Sequence, residues 1–303
     1  MAWPDAIVRE DEGVLRGLPR RALMASKQAV HDPEIARRHG LRGGVVGGSR
    51  HLNVFAPLML SLWGQAAFER GGVSIYFEGG VLEGEMVQAF VRRPPQEGAL
   101  AEAWLRRGDP GAASVGRGTL TLGAHESGEL HRRDLRLCDV SHVRILKAFA
   151  PGKRICEAAY AMTSAAQLEQ LQSGEINEPL HWYFERSPWG EPIAAISPSF
   201  QVPFNPTKAA LKEHTVGVTP MGGAVEIAYR NGPIFLDRPY RIVATSLGVG
   251  QSPKTEYLVI DFTVADEAGR PVATARQLMR FMKAGSPQYP EAPLGAVSAA
   301  ASA

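Results

Sequence analysis

The apolar positions follow three different periods in turn across residues 31–91. The first piece, HDPEIARRHGLRGG, is polar and punctuated by glycine. The second, residues 52–68, places Leu52, Phe55, Leu58, Met59, Leu62, Trp63, Ala66 and Ala67 at three- and four-residue steps, the spacing of one helical face. The third alternates: Val73, Ile75 and Phe77 share a face, Gly79 and Gly80 make a turn, and residues 86–91 form a second strand. Residues 52–68 carry no charge. The pattern predicts a helix buried nearly all round and cupped by antiparallel strands.

Residues 99–106 and 115–122 read as two further strands, separated by the turn signal Gly108-Asp109-Pro110-Gly111. Ahead of the helix, residues 10–13 read as a turn and residues 19–30 as a short helix with Leu23 and Met24 inward. Residues 123–136 are polar and read as a connector, and residues 158–172 favour a helix that Gly174 stops. The aromatic run Pro179 to Phe184 seals an interface or lines a pocket, sealing being the commoner use.

The second half repeats the first. VSIYFEGG at residues 73–80 is echoed by VEIAYRNG at residues 225–232. Long strands follow at residues 240–247, 256–264 and 271–282, with Asp266 to Gly269 as a hairpin turn. The second helix looks shorter, about two turns over residues 206–214. The reading divides the chain into a first unit at 1–125, a connector at 126–174, a second unit at 175–285, and a disordered Pro-, Ala- and Ser-rich tail at 286–303.

This order of elements resembles the hotdog fold of acyl-thioester enzymes, and the overhang is similar to that of MaoC-like, R-specific enoyl-CoA hydratases. Their overhang has the form D-x-N-P-x-H-x-D-P-E-x-A, followed by G-x-x-G-x-I-x-H-G and the central helix. Here Asp32-Pro33-Glu34-Ile35-Ala36, Gly40 to Gly43 and Val45 to Gly48 match the scaffold letters. The family's catalytic Asp, Asn and His fall on Ala25, Lys27 and Val30, and its His before the helix falls on Gly47. His31 stands one position away. The resemblance implies an α+β, double hotdog fold, with two antiparallel sheets each wrapped around a central helix. It implies an acyl thioester, bound to CoA or to a carrier protein, as the small-molecule partner. It also implies a homodimer or a hetero-oligomer with a related subunit.

Composition narrows the classes. Apolar residues make up 45% and charged residues 21% of 303, as in soluble globular proteins. A net charge of +2, with acids interleaved among the arginines, argues against a nucleic-acid partner. Cys138 and Cys156 form neither a disulfide framework nor a metal-ligand spacing, so a reduced, cytoplasmic protein without a metal or cofactor is expected. The N-terminus shows no apolar export signal. The apolar helix is short for a membrane span and is interrupted by Asn53, Pro57 and Gln65.

The candidate chemistry clusters at the overhang. His31, Asp32 and His51 are the candidate catalytic groups: a histidine serves as general base, and a carboxylate can orient it. Asp32 before Pro33 is equally the N-cap of a helix over residues 33–38, the commoner role. Gly47, Gly48, Ser49 and Arg50 are the candidate substrate-binding residues. Glycines allow close approach to a helix N-terminus that would polarise a thioester carbonyl, or serve only tight packing. Arg50 and His51 suit an anionic ligand group or solvent. In the second half, Asn205-Pro206 echoes the family's N-P, and His214 is the other possible base. Glu69 and Glu83 are the acids a thioesterase would use. There is no G-x-S-x-G, P-loop or metal-ligand cluster. Three readings remain: a hydratase or dehydratase with a relocated catalytic pair, a thioesterase, and a non-catalytic subunit that binds an acyl chain or stabilises a partner.

Overall fold

The computed structural model describes residues 8–26, 28–94, 100–108, 113–178 and 180–295. Its strands in chain order are β1 (Arg9–Asp11), β2 (Val14–Arg16), β3 (Arg20–Arg21), β4 (Gly71–Phe77), β5 (Met86–Arg92), β6 (Leu100–Arg107), β7 (Ser114–Leu122), β8 (Arg154–Tyr160), β9 (Pro220–Tyr229), β10 (Tyr240–Gln251), β11 (Thr255–Ala265) and β12 (Pro271–Met282). The helices are α1 (Pro33–Arg38), α2 (Ala56–Trp63), α3 (Ala66–Arg70), α4 (Glu129–Arg132), α5 (Ser164–Gln172) and α6 (Ile196–His214).

The strands form one sheet in the order β1-β2-β5-β6-β7-β4-β9-β12-β11-β10-β8, with β3 beside β5. Two halves meet edge to edge where β4 pairs antiparallel with β9, from Gly72↔Ala228 to Tyr76↔Ala224. β5 and β6 match the alternation in the sequence, because one face of each is buried: β5 at Val87, Ala89 and Val91, and β6 at Ala101, Ala103 and Leu105; β4 and β7, in the middle of the sheet, are buried on both faces along most of their length.

The central helix of the first half differs from the single rod predicted over residues 52–68. It opens as a 3-10 helix (Gly48–Phe55), continues as α2 with Pro57 in its first turn, breaks at Gly64, and resumes as α3. Gly64 adopts φ +55°, which glycine tolerates and which ends α2. Residues 51–60 are all buried, but Ser61 and Gln65 are exposed and Leu62 and Trp63 half-buried, so this helix is not enclosed all round.

The second helix corrects the expectation in the other direction. α6 spans 19 residues, not two turns, and Pro203 and Pro206 lie inside it. A proline in a helix interior costs about 3 kcal/mol, which is why the sequence reads as a break. Here every residue from Ile196 to Pro203 is buried, and Thr207 Oγ1 donates to the Pro203 carbonyl at 2.9 Å. Burial outweighs the prolines.

Three other segments depart from the sequence reading. Among the described residues of 19–30 there is no α-helix, and Arg20–Arg21 pairs with β5, whereas the turn read at residues 10–13 does form, Glu12 and Gly13, both at positive φ, turning β1 into β2. Within residues 126–174, read as connector, β8 pairs along the edge of β10 and α5 is locked by Gln167. The buried Gln167 amide donates to the Tyr183 and Ile193 carbonyls and accepts from the Ala195 N–H. The tail is ordered where it is described. Tyr289 is buried, and its hydroxyl donates to Glu256 at 2.6 Å. Residues 296–303 lie outside the described residues.

Candidate functional site

The overhang folds as predicted at its centre. The Asp32 carboxylate accepts the N–H groups of Glu34 and Ile35 at 2.8 and 3.0 Å and caps α1. It does not line the cavity described below, so it is withdrawn as a catalytic candidate. Past α1 the overhang leans on the second half. His39 Nε2 meets Thr219 Oγ1 at 3.0 Å, and Val30, Val45 and Leu41 pack with Met282 and Met221.

Beneath the overhang lies a cavity of about 240 Å³. His31, Gly47, Gly48 and His51 line it from the overhang and the 3-10 helix; residues 77–81 line it from the end of β4; residues 221–223 and Arg280 line it from β9 and β12. It therefore sits at the junction of the two halves, where β4 and β9 cease to pair beyond Tyr76↔Ala224.

His31 is half-buried, and its Nδ1 is 2.6 Å from the Val45 carbonyl. A carbonyl only accepts, so Nδ1 carries a proton, and Nε2 is the basic nitrogen of the neutral ring. The 3-10 turn that delivers it begins at Ala29 with φ +52°, a left-handed conformation that costs a non-glycine residue of order 1 kcal/mol. Val30, where the resemblance places the family's histidine, is buried in the same wall.

His51 is buried, edge-on to Phe77 with ring centroids 6.3 Å apart. Desolvation pulls its pKa down to about 4, so it is neutral at pH 7. Its Nδ1 is buried without a hydrogen-bond partner.

The glycines divide between the two roles the sequence allowed. A Cβ on Gly48 would fall 2.2 Å from the Phe77 ring, so Gly48 is required for packing as well as for approach to the cavity. A Cβ on Gly47 would meet His31 Cε1 and Met24 at an ordinary 3.6 Å, and the Gly47 N–H points to Met24 Sδ at 3.2 Å. Ser49 and Arg50 do not line the cavity. Arg50 turns away to pair with Glu175 at 2.8 Å and donates to Gln170 at 2.5 Å. Burial lowers its pKa and Glu175 opposes that shift. Both residues are corrected as substrate-binding candidates.

Glu69, Glu83, His181 and His214 are not among the residues that line this cavity. Trp182 is buried and packs edge-on against Phe68 and Trp189, the sealing role. Ala25 is exposed, its N–H donating to Glu175, and Lys27 lies outside the described residues. Among the lining residues the one carboxylate is Glu78, which pairs with Arg117 at 3.1 Å.

Sequence reasoning missed the wall from the second half. Arg280 donates to Tyr76 Oη at 2.7 Å and to Thr255 Oγ1 at 3.3 Å. The available signal was Gly222-Gly223, a glycine pair within a strand, which marks close approach of a backbone or ligand. Among the described residues no group of acids, histidines and cysteines is placed to hold a metal ion, and no helix is long and apolar enough to cross a membrane.

No family model and no curated protein sequence matches the chain. Solved structures do. A MaoC-domain dehydratase from Chloroflexus aurantiacus is similar with a TM-score of 0.55 at 12% identity, over 88% of this chain and 93% of that one. A conserved Mycobacterium tuberculosis protein described as having a double hotdog fold gives 0.54 at 11% identity, over 84% and 88%. The dehydratase domain of PpsC from Mycobacterium tuberculosis, solved with C12:1-CoA, gives 0.50 at 10% identity, over 91% and 97%. Like these neighbours, the chain is a double hotdog: an α+β fold in which the two halves of one antiparallel sheet each wrap a central helix.

Proposed function

We propose that the cavity beneath the overhang receives the acyl end of a thioester, and that His31 acts there as general base in the addition or removal of water. The observation that carries this reading is the placement of His31 and His51 in the wall of one cavity at the junction of the two halves. The PpsC dehydratase domain, solved with an acyl-CoA, makes such a ligand chemically reasonable for this fold.

In hydration, His31 Nε2 takes a proton from water as the oxygen bonds to the β-carbon of an enoyl thioester. The electrons of the double bond move to the α-carbon and onto the thioester oxygen, and the imidazolium returns its proton to the α-carbon. In this reading the positive end of the 3-10 helix that starts at Gly48 stabilises the developing oxygen charge, and the neutral His51 ring forms part of the cavity wall. Dehydration is the reverse.

A second reading is acyl binding without turnover. It is favoured by Ala25 and Val30 standing where the family has Asp and His, and by a cavity whose one carboxylate is already paired. A panel of saturated and enoyl-CoA thioesters, titrated calorimetrically and assayed for loss of the enoyl absorbance, separates the two. Binding with slow turnover that His31→Ala abolishes supports the hydratase reading. Binding with no turnover supports the second, and no binding sinks both.

A further inference from the structure

Among the glycines of the overhang, Gly44 is the one that presses on the main chain of His31. A Cβ on Gly44 would fall 2.5 Å from the His31 carbonyl oxygen, 3.2 Å from its carbonyl carbon and 3.3 Å from Pro33 Cδ. The neighbouring glycines make other contacts. A Cβ on Gly43 would meet only the Leu82 side chain, at an ordinary 3.5 Å, and one on Gly48 would meet the Phe77 ring. Gly40 sits at positive φ with open space around it, whereas Gly44 is not at positive φ. Gly44 is therefore required for what lies against it, and not for its backbone conformation.

Neither side of that contact can recede. His31 leads directly into α1, where the Asp32 carboxylate caps the helix and Pro33 occupies the first turn. Residues 44–46 are pinned from the opposite side. The Val46 N–H donates to the Val81 carbonyl at 2.8 Å, the Glu83 N–H donates to the Gly44 carbonyl at 3.4 Å, and Val45 forms a β-bridge with Leu82. Val45 ties the two segments together. Its N–H donates to the Val30 carbonyl at 3.0 Å, and its carbonyl accepts from His31 Nδ1 at 2.6 Å. Backbone atoms and a proline ring cannot swing aside, so a methyl at position 44 is housed only by driving the segments apart. The bond that fixes the proton on Nδ1 spans that gap. Lengthening it weakens the hold on the ring and on its tautomer, and in the other tautomer Nε2 bears the proton and is no base.

We propose that Gly44 is a positioning residue for His31. Its missing side chain lets residues 30–31 and 44–45 close to the distance at which the Val45 carbonyl sets the tautomer and leaves Nε2 as the basic nitrogen. This assignment rests on the reading of His31 as general base and adds what holds it in that role.

The test is Gly44→Ala, with Gly43→Ala beside it. In hydration of an enoyl thioester, Gly44→Ala should lower kcat about tenfold or more with KM little changed, and Gly43→Ala should match the wild type. Ring-nitrogen NMR of protein carrying isotope-labelled histidine gives a readout that needs no turnover; the His31 signals are those lost in His31→Asn. The wild type should carry the proton on Nδ1, and Gly44→Ala should show both tautomers. A role exerted through His31 also requires that Gly44→Ala change the residual rate of His31→Asn by less than about twofold. If Gly44→Ala folds poorly, the double variant Gly44→Ala with Pro33→Ala is read in its place, because removing the ring lets the His31 carbonyl recede. A wild-type tautomer in the variant overturns the assignment, and so does an equal loss of rate in the His31→Asn background. A wild type that turns over no enoyl thioester overturns the reading of His31 as base; the tautomers of Gly44→Ala then still decide whether Gly44 positions the ring.

Discussion

The side-chain oxygen of Asn53, in the 3-10 helix of the first half, accepts the N–H of Ser197 at the start of α6, 2.9 Å away. Both residues are fully buried. A helix's first N–H groups have no acceptor inside the helix, so Asn53 supplies from one half what the other half lacks. Asn53→Ala strands that N–H in the core and should lower stability by about 1–3 kcal/mol in urea unfolding. A loss below about 0.5 kcal/mol, within the range of neutral surface changes, would show that the link is idle.

The broken central helix separates two of its apolar residues. Phe55 is fully buried, whereas Leu62 sits half-buried just before the break at Gly64. Phe55→Ala should cost about 3–5 kcal/mol, and Leu62→Ala less than about 2 kcal/mol. Equal losses in parallel denaturant titrations would mean that residues 61–65 are enclosed after all.

Glu256 is buried completely, and its carboxylate accepts the N–H groups of Arg144, Ile145 and Leu146 as well as the Tyr289 hydroxyl. The charge is satisfied only because residues 144–146 and residue 289 converge on it. Tyr289→Phe removes one charge-assisted hydrogen bond and should cost about 1.5–3 kcal/mol. Truncation after Lys283 should cost at least as much; an unchanged thermal midpoint would return this segment to the loose tail that its composition suggests.

What the sequence made legible follows the physics of each element. The long strands announce themselves in two ways: β5, β6 and most of β10 bury one face and keep the alternation, whereas β4 and the first half of β11 are buried on both faces and read as apolar runs. The leader strands of two or three residues carry no such pattern; they exist because β5 has an open edge for Val14, Arg16 and Arg20 to pair with. α6 was hidden by Pro203 and Pro206, whose local cost is visible in sequence while the burial that offsets it is not. The candidate site was half legible. Residues 31, 47, 48 and 51 follow one another along the overhang and share a wall. Arg280 is more than two hundred positions away, and no local pattern says which strand of the other half will face them.

His51 makes the protein's stability depend on pH in a definite direction. Its pKa is about 4 when folded and about 6.5 when unfolded, so the unfolded chain binds the proton more readily. The neutral buried ring therefore costs nothing above pH 6.5, and stability falls as pH drops from there toward 4. Between pH 7 and pH 5 the loss from this one group should be about 2 kcal/mol. Other groups titrate in the same window, so the measurement is a difference. Wild type and His51→Leu are unfolded in urea at both pH values, and the wild type should lose about 2 kcal/mol more. Identical losses would mean that the ring is protonated or solvated in the folded chain.

His31 has two nitrogens with separable duties. Nδ1–H holds the overhang to the Val45 carbonyl at 2.6 Å, and Nε2 is the nitrogen assigned as base. His31→Ala removes both, so it should lower stability by about 0.5–1.5 kcal/mol and turnover of an enoyl thioester by about 10²-fold or more. Asn is the discriminating replacement. Its amide N–H₂ reaches roughly where Nδ1 stands, but it has no basic nitrogen. His31→Asn should therefore recover most of the stability lost in His31→Ala while leaving turnover at the low level. If the asparagine variant turns over as the wild type does, His31 is only a strut and the base lies elsewhere. If both variants bind thioester normally and the wild type itself shows no turnover, the cavity is a binding site, and His31 serves to hold the overhang across it.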